Sequence, residues 1–405
     1  MLLIKAPVNF REIKKLISFR RRSGAGIQTV DEFREKAKKK IPHAIWDFID
    51  GGAGTEQAVH ANRASLEAVL FQPNYLVDVS QRDTSTHVFG KPLRTPLILS
   101  PAGIATLAHP RGELAAARSA DKAGAIFCLS TGSGHSIEQV AEVSNGRLWF
   151  QLYLWKNQEV IDSLISRAKN SGYEALIVTV DVPVVGKRER DLRNGMSLPV
   201  TIRPGQYLHY LRKPRWVSGI LRNPAITFGN LTSFTSGDDA SSIGEYVNKE
   251  LNDPSKTWDD LERIRSVWKG PLIIKGIMNP KDAQRAEQAG VDGIIVSNHG
   301  GRQFSSVPGV ATIFPEIQAV VSEHIELFFD GGIRRGEDIV KAYALGATAA
   351  CSGRSWFWAL AADGEQGVDR VLHILEKEVE DTLALIGEKT LTQVGKHNLY
   401  RHQAT

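Results

Sequence analysis

Cysteine is nearly missing from this chain. Cys128 and Cys351 are the only two in 405 residues, and each stands inside or beside an apolar run. Buried free thiols are expected rather than a disulfide, which suits a reducing compartment. Long hydrophobic runs are missing too, and none approaches the roughly 18 apolar residues of a membrane-crossing helix. No G-x-G-x-x-G opens a helix after a strand, and no G-x-x-x-x-G-K-S/T phosphate loop occurs, so the dinucleotide and P-loop classes lack their fingerprints. No metal-ligand spacing is read.

Acidic residues are absent from 196–237, where Arg203, Arg212, Lys213, Arg215 and Arg222 are interleaved with Tyr207, Tyr210, Trp216 and Phe228. That mixture suits a membrane interface or an anionic partner, and equally a lid over an active-site mouth. Net charge is confined to one place. Residues 1–28 carry seven basic side chains (Lys5, Arg11, Lys14, Lys15, Arg20, Arg21, Arg22) against Glu12, a balance of +6, so the chain's net +5 leaves −1 for the rest. A nucleic-acid-binding body is therefore not expected. Phe10, Ile13 and Ile17 recur at helical spacing in this basic arm, which fits either an amphipathic helix on an anionic membrane or a solvated tail. Ser23-Gly24-Ala25-Gly26 follows the arginine triplet where an export signal needs an apolar segment, so export is not expected.

The remaining composition, 42% hydrophobic and 23% charged, is that of a globular protein. A helix is expected over 30–48, stopped by Asp50-Gly51-Gly52-Ala53-Gly54. From Leu97 onward, short β-branched apolar runs alternate with helical patterns. The runs are Leu97–Ser100, Ile126–Leu129, Trp149–Leu154, Ala175–Val180, Leu272–Ile274, Gly293–Val296, Ile325–Phe329 and Ala349–Cys351. Fully apolar strands between helices indicate a parallel sheet covered on its faces. The count favours an α/β fold of the (β/α)8 TIM-barrel type over a doubly wound sheet. The expected organisation is an N-terminal arm at 1–28, a barrel over 29–390 with an N-terminal helical segment and a long insertion at about 195–258 after the fourth strand, and a tail at 391–405.

In a barrel, chemistry belongs where strands end. The strand ends here carry Pro101-Ala102-Gly103, Ser130-Thr131-Gly132, Gln151 with Tyr153, Thr179-Val180-Asp181, Lys275, Ser297-Asn298-His299-Gly300-Gly301-Arg302-Gln303, Asp330-Gly331-Gly332 and Gly353-Arg354. Singly, each has a bland reading as a turn, a cap or a surface pair. Together they suggest a site. The glycines and arginines after the seventh and eighth strands suit a ligand phosphate. Ser130, Gln151 and Thr179 can bond a polar heterocycle edge, with Lys275 beside it. A phosphorylated planar cofactor fits, and flavin mononucleotide (FMN) is the natural candidate. His299 with Asp181 makes a base and its orienter, and Arg302 suits a substrate anion.

With these motifs the sequence resembles the FMN-dependent L-2-hydroxy acid dehydrogenases and oxidases, the group of L-lactate dehydrogenase, mandelate dehydrogenase and glycolate oxidase. The resemblance spans about residues 30–385. It rests on Trp149-Phe150-Gln151-Leu152-Tyr153, Thr179-Val180-Asp181-Val182-Pro183, Lys275-Gly276, Ser297 to Gln303, Asp330-Gly331-Gly332-Ile333-Arg334-Arg335-Gly336 and Ser352-Gly353-Arg354. It implies that FMN is bound by Ala102, Gly103, Ser130, Gln151, Thr179, Lys275 and Ser297, with its phosphate at Asp330, Gly331, Gly332, Arg334, Gly353 and Arg354. It further implies His299 as base, Asp181 steadying the imidazolium, Tyr153 on the substrate oxygen, and Arg302 with Arg188 on the carboxylate. The 196–260 segment, including Trp258-Asp259-Asp260-Leu261, is most similar to the bacterial membrane-associated dehydrogenases. A cytoplasmic protein, peripheral on the inner face of the membrane and forming a homotetramer, is what the family pattern implies.

Two positions depart from that pattern. Phe48 stands where relatives carry a Tyr that shares the carboxylate, and Gly132-Ser133-Gly134 stands where they often place a bulky residue. The expected reaction is oxidation of an L-2-hydroxy acid, lactate-like or larger. Gly103 is the dehydrogenase choice at its position, which implies a quinone or other non-oxygen acceptor. The alternatives are an oxygen-using oxidase and oxidation of an amine or modified peptide, the latter because of Phe48. A non-catalytic flavin or adaptor protein and a non-flavin phosphate barrel are the remaining readings.

Overall fold

The computed structural model describes residues 26–196, 207–222, 228–234, 246–247, 249–250 and 253–400. The expectations for the basic arm fall outside these apart from 26–28, as do those for Arg203 and much of the insertion. Two short strands, β1 (Thr86–Val88) and β2 (Lys91–Leu93), pair antiparallel as a hairpin. Among the described residues eight parallel strands then follow: β3 (Leu97–Leu99), β4 (Ile126–Ser130), β5 (Leu148–Tyr153), β6 (Ala175–Thr179), β7 (Leu272–Ile277), β8 (Gly293–Ser297), β9 (Glu326–Asp330) and β10 (Ala349–Ser352). Each pairs with the next, and β10 pairs with β3, so the barrel closes. The expected (β/α)8 fold is the observed one, with strand ends displaced by one to three residues.

Side chains alternate between the two faces of a strand, and this sorts the barrel into two cores. Ile98, Cys128, Trp149, Ile177, Ile273, Ile295, Phe328 and Cys351 form one buried cluster inside it. Leu99, Phe127, Leu129, Phe150, Leu152 and Val178 belong to the larger cluster between the barrel and its helices. The inward parity continues past the apolar layer to Ser100, Ser130, Gln151, Thr179, Lys275, Ser297 and Asp330. Register places these polar ends side by side, Ser130 opposite Gln151, Thr179 opposite Lys275 and Ser297 opposite Asp330.

The expected helix over 30–48 is in fact two, Val30–Lys40 and His43–Asp50. Pro42 is the cause. It lacks the donor that the ladder needs and pushes the preceding residue to extended backbone, where Ile41 is found at φ −101°, ψ 161°. Thr29 caps the first of them, its hydroxyl accepting from the Glu32 amide at 3.2 Å. A third helix, Gln57–Glu67, brings the N-terminal segment to the polar end of the barrel. The 33-residue helix Arg354–Ile386 is broken at Asp363–Gly364, and Lys36 and Lys40 meet the Asp363 carboxylate there at 2.6 and 2.9 Å. Beyond it the chain packs down again, with Leu391 and Asn398 buried.

The β1–β2 hairpin had no sequence expectation. Its tip residue Phe89 meets Trp149 and Phe328 at ring centroids 5.7 and 5.9 Å apart, closing the end of the barrel away from the polar strand ends. Replacing Phe89 by Ala is expected to destabilise the fold by about 2–4 kcal/mol, read as a lower urea midpoint. Ligand binding at the far end should stay unchanged.

Candidate active site

The polar strand ends open into a cavity of about 710 Å³, a usual size for a cofactor or small-molecule site. Of the nineteen site positions expected from sequence, all but Ser297 and Asp181 line it directly. Ser297 is buried one layer behind.

At the centre lies Lys275. Its ammonium sits 2.8 Å from Asp330 Oδ2 and donates to Ser297 Oγ at 2.9 Å. Ser297 donates to Asp330 Oδ2 at 2.7 Å, and Ser100 to Asp330 Oδ1 at 2.9 Å. Burial works against the lysine charge, but Asp330 and Asp181 outweigh it and hold its pKa above the ordinary value. Burial likewise opposes the Asp330 charge, and Lys275 with the two hydroxyls overcomes it, leaving the pKa lowered. The Asp330 carboxylate is therefore turned onto Lys275, while the residue lines the cavity beside Gly331 and Gly332.

Gly276 explains how this lysine and the catalytic-looking pair coexist. It has φ 106° at a register shift in β7, and a Cβ there would lie 2.6 Å from Asp181 Cβ. Only a glycine lets the strand bulge at this point and leaves space for Asp181. Asp181 Oδ1 meets His299 Nδ1 at 2.9 Å, while Asp181 Oδ2 is buried without a partner. Burial lowers the His299 pKa, with Asp181 opposing that shift. Burial thus favours the neutral imidazole, and an ionised Asp181 favours the tautomer with the proton on Nδ1. Tyr153 faces the same cavity, its phenol pKa raised by burial.

Gln151 organises the next wall. It donates to Thr179 Oγ1 at 3.0 Å and accepts from Ser130 Oγ at 3.1 Å. Ala102 and Gly103 lie alongside. At the other side, Arg302 Nη1 and Arg354 Nη2 both donate to the Gly51 carbonyl at 2.8 Å, and Arg354 Nη1 donates to Gly300 O at 2.8 Å. Arg354 Nε and Ser352 Oγ are buried and unpartnered. Burial pushes the Arg354 pKa down to about 10. Burial, then Arg188 and Arg354, lower that of Arg302. Arg188 Nε reaches Arg302 O at 3.4 Å, and Phe48 lies under the Arg302 guanidinium at 5.3 Å. Arg334 stands over the Trp358 ring at 5.2 Å beside Gly331, Gly332 and Gly353.

The insertion contributes a roof. Met196, Tyr210, Trp216, Phe228 and Val247 line the cavity, and Trp216 Nε1 donates to Leu107 O at 2.7 Å. Arg212, Arg215 and Arg222 are exposed, while Trp216 and Phe228 line the cavity.

Sequence reasoning passed over Asn62, Arg63, Ser100 and Asn298. Ser100 shares the inward parity and was open to that argument. Asn62 gave no signal, because its partner is 236 positions away. The two amides donate to each other's carbonyls, at 2.8 Å from Asn62 and 2.9 Å from Asn298, and Asn298 Oδ1 also accepts from the Gly301 amide at 3.1 Å. Arg63 Nη1 is 2.6 Å from both Gly332 O and Asp338 Oδ2. Asn62→Leu strands the Val310 amide and half of the Asn298 amide, and should lower the unfolding free energy by about 1–3 kcal/mol in urea titration.

The residues present suit a phosphorylated flavin. Arg354, with its Nε orphaned, lines the cavity together with Arg334, Gly331 and Gly332, and a chain of amide and hydroxyl groups leads to one buried ammonium. A model of the FMN-dependent dehydrogenase family matches residues 37–401. The chain is 40% identical over 372 residues to an L-lactate dehydrogenase of Pseudomonas syringae pv. syringae, covering 91% of this chain and 97% of that protein. It is 41% identical over 367 residues to an L-lactate oxidase of Nostoc sp., covering 90% and 95%. The crystal structure of the monotopic membrane protein (S)-mandelate dehydrogenase matches with a TM-score of 0.89 at 36% identity, over 93% of this chain and 100% of that one. The chain belongs to the FMN-dependent dehydrogenase family and is an FMN-dependent 2-hydroxy acid oxidoreductase.

Proposed function

We propose that this enzyme oxidises an L-2-hydroxy acid, lactate-like or larger, to the 2-oxo acid, and that the electrons pass to a quinone or another non-oxygen acceptor. The observation that carries the reading is the His299–Asp181 pair, 2.9 Å apart, with His299 on the cavity wall that Tyr153 and Arg302 also line. FMN, once bound, supplies the two-electron redox centre. Ala102, Gly103, Ser130, Gln151, Thr179 and Lys275 hold its ring side, with Ser297 acting through Lys275. Gly331, Gly332, Arg334, Gly353 and Arg354 hold its phosphate.

Arg302, with Arg188 behind it, grips the substrate carboxylate, and the Tyr153 hydroxyl bonds the substrate oxygen. His299 Nε2 takes the proton, from the hydroxyl or from the α-carbon, and Asp181 stabilises the imidazolium that forms. Lys275 opposes the negative charge that builds beside it as the substrate is oxidised. The roof residues Met196, Trp216, Phe228 and Val247 form an apolar wall that supports a side chain larger than a methyl group. At Gly103 a Cβ would come within 3.2 Å of Gly132 O, a tight contact that glycine avoids. The helix Pro214–Arg222 turns Trp216 inward and exposes Arg215, Leu221 and Arg222. That surface supports a peripheral seat on an anionic membrane.

Phe48 favours a second reading, in which the substrate is an amine or modified peptide, because it offers Arg302 a ring face and no hydroxyl. Anaerobic bleaching of the flavin against L-2-hydroxy acids from glycolate to mandelate decides between them. Rapid reduction by the larger acids is expected, and reduction by none of them overturns the proposal. Admitting air afterwards should give slow reoxidation; fast peroxide formation would make the enzyme an oxidase. Phe48→Tyr should raise kcat/KM on lactate by about tenfold, the value of one recovered hydrogen bond to a charged group.

The pH profile follows from His299. A base must be unprotonated, so kcat/KM falls as pH drops through its pKa, which burial places below the ordinary histidine value. Asp181 raises that pKa, so Asp181→Asn should move the acid limb to lower pH. It should also reduce kcat on the order of 10²-fold through loss of the imidazolium's partner.

A further inference from the structure

Glu113 stands outside the residues used so far. It lies in the first turn of the helix Gly112–Ala123, is 1% exposed, and among the described residues has no lysine or arginine partner in an ion pair. Its Oε1 accepts from the Ala105 amide at 2.8 Å and the Gly134 amide at 3.0 Å, and its Oε2 meets His135 Nδ1 at 2.8 Å. A carboxylate so deeply buried is tolerated only when donors satisfy it. Here they come from two different loops, those after β3 and β4.

Those loops meet where the cofactor ring side is lined. The Ile104 amide donates to Gly132 O at 2.8 Å, and Gly103 and Gly132 both face the cavity. Ile104 is held at φ 50°, a conformation that a branched side chain adopts only under constraint. The same two loops seat the roof. Leu107 O accepts from Trp216 at 2.7 Å, Ser133 O from the Gly229 amide at 3.0 Å, and Ser133 Oγ from Asn230 at 3.0 Å.

We infer that Glu113, with His135, is a positioning residue that clamps the β3 and β4 loops together and so couples the backbone around Gly103 and Gly132 to the seat of the roof. The clamp gives one carboxylate control of both the flavin's surroundings and the apolar wall. This rests on the proposed site reading, but its first test needs no substrate.

Holoenzyme carrying Glu113→Leu loses all three contacts. Its visible flavin spectrum should shift, its FMN dissociation constant should rise by about tenfold, and KM for mandelate should rise more than KM for lactate. Glu113→Gln keeps an oxygen for the two amides and offers His135 an amide N–H for its other tautomer, so it should restore spectrum and affinity to nearly the wild-type values. A folded Glu113→Leu protein with unchanged spectrum and FMN affinity overturns the inference, as does a Gln variant as impaired as the Leu variant. Should Glu113→Leu fail to fold, His135→Phe removes one contact of the three. A smaller spectral shift in the same direction supports the clamp, and no shift overturns it. The spectrum and affinity are read on resting protein, so they stand even if no 2-hydroxy acid is oxidised.

Discussion

Lys275 carries a full positive charge at the level where the barrel's apolar interior gives way to its polar rim, and everything near it is arranged to keep that charge in place. Asp330 supplies the counter-charge, while Ser297 and Ser100 fill the carboxylate's remaining acceptor sites. Breaking a buried pair of this kind by removing one partner costs on the order of 3–5 kcal/mol, because the survivor is left charged in apolar surroundings. Four strands, β3, β7, β8 and β9 with the residue that follows β3, are thereby tied at one height. The glycine bulge after Lys275 then frees the next position of the strand for Asp181 and, through it, His299.

Much of this was legible in the residues because strand parity and strand ends are local properties. Apolar runs of three to six residues declared the eight strands, and the polar residue two places beyond the last inward apolar one declared the site. Ser130, Gln151, Thr179, Lys275 and Ser297 all obey that arithmetic. What escaped was either a backbone effect or a distant partner. Pro42 divides a helix whose periodicity runs straight through it. Phe89 carried no expectation, yet it plugs the barrel against the rings of Trp149 and Phe328. Asp330 belongs to a phosphate motif by its neighbours, and only the position of Lys275 shows where its carboxylate goes.

The two arginine functions expected from sequence, one for a substrate anion and one for a cofactor phosphate, meet on a single acceptor. Gly51 O receives Arg302 and Arg354 together, on a loop braced by Arg34 gripping Asp50 at 2.7 and 2.8 Å and by Glu56 accepting from the Gly52 amide at 3.0 Å. Two guanidinium groups drawn to one carbonyl repel each other, which is part of why the Arg302 pKa is lowered. An anion placed at either end relieves that repulsion.

The reciprocal amide pair of Asn62 and Asn298 has a consequence for how the chain reaches this state. The N-terminal helices are made first, but Asn62 waits for a partner 236 residues later, and Gly51 for one 303 residues later. Contacts of such long sequence separation close slowly, since loop entropy is lost before they form. On the ribosome, the apolar face of Val30 and Phe33 waits for the helix after β10, which packs on it. The same contacts that complete the site at the end of folding thus leave the nascent chain dependent, for most of its synthesis, on protection from aggregation.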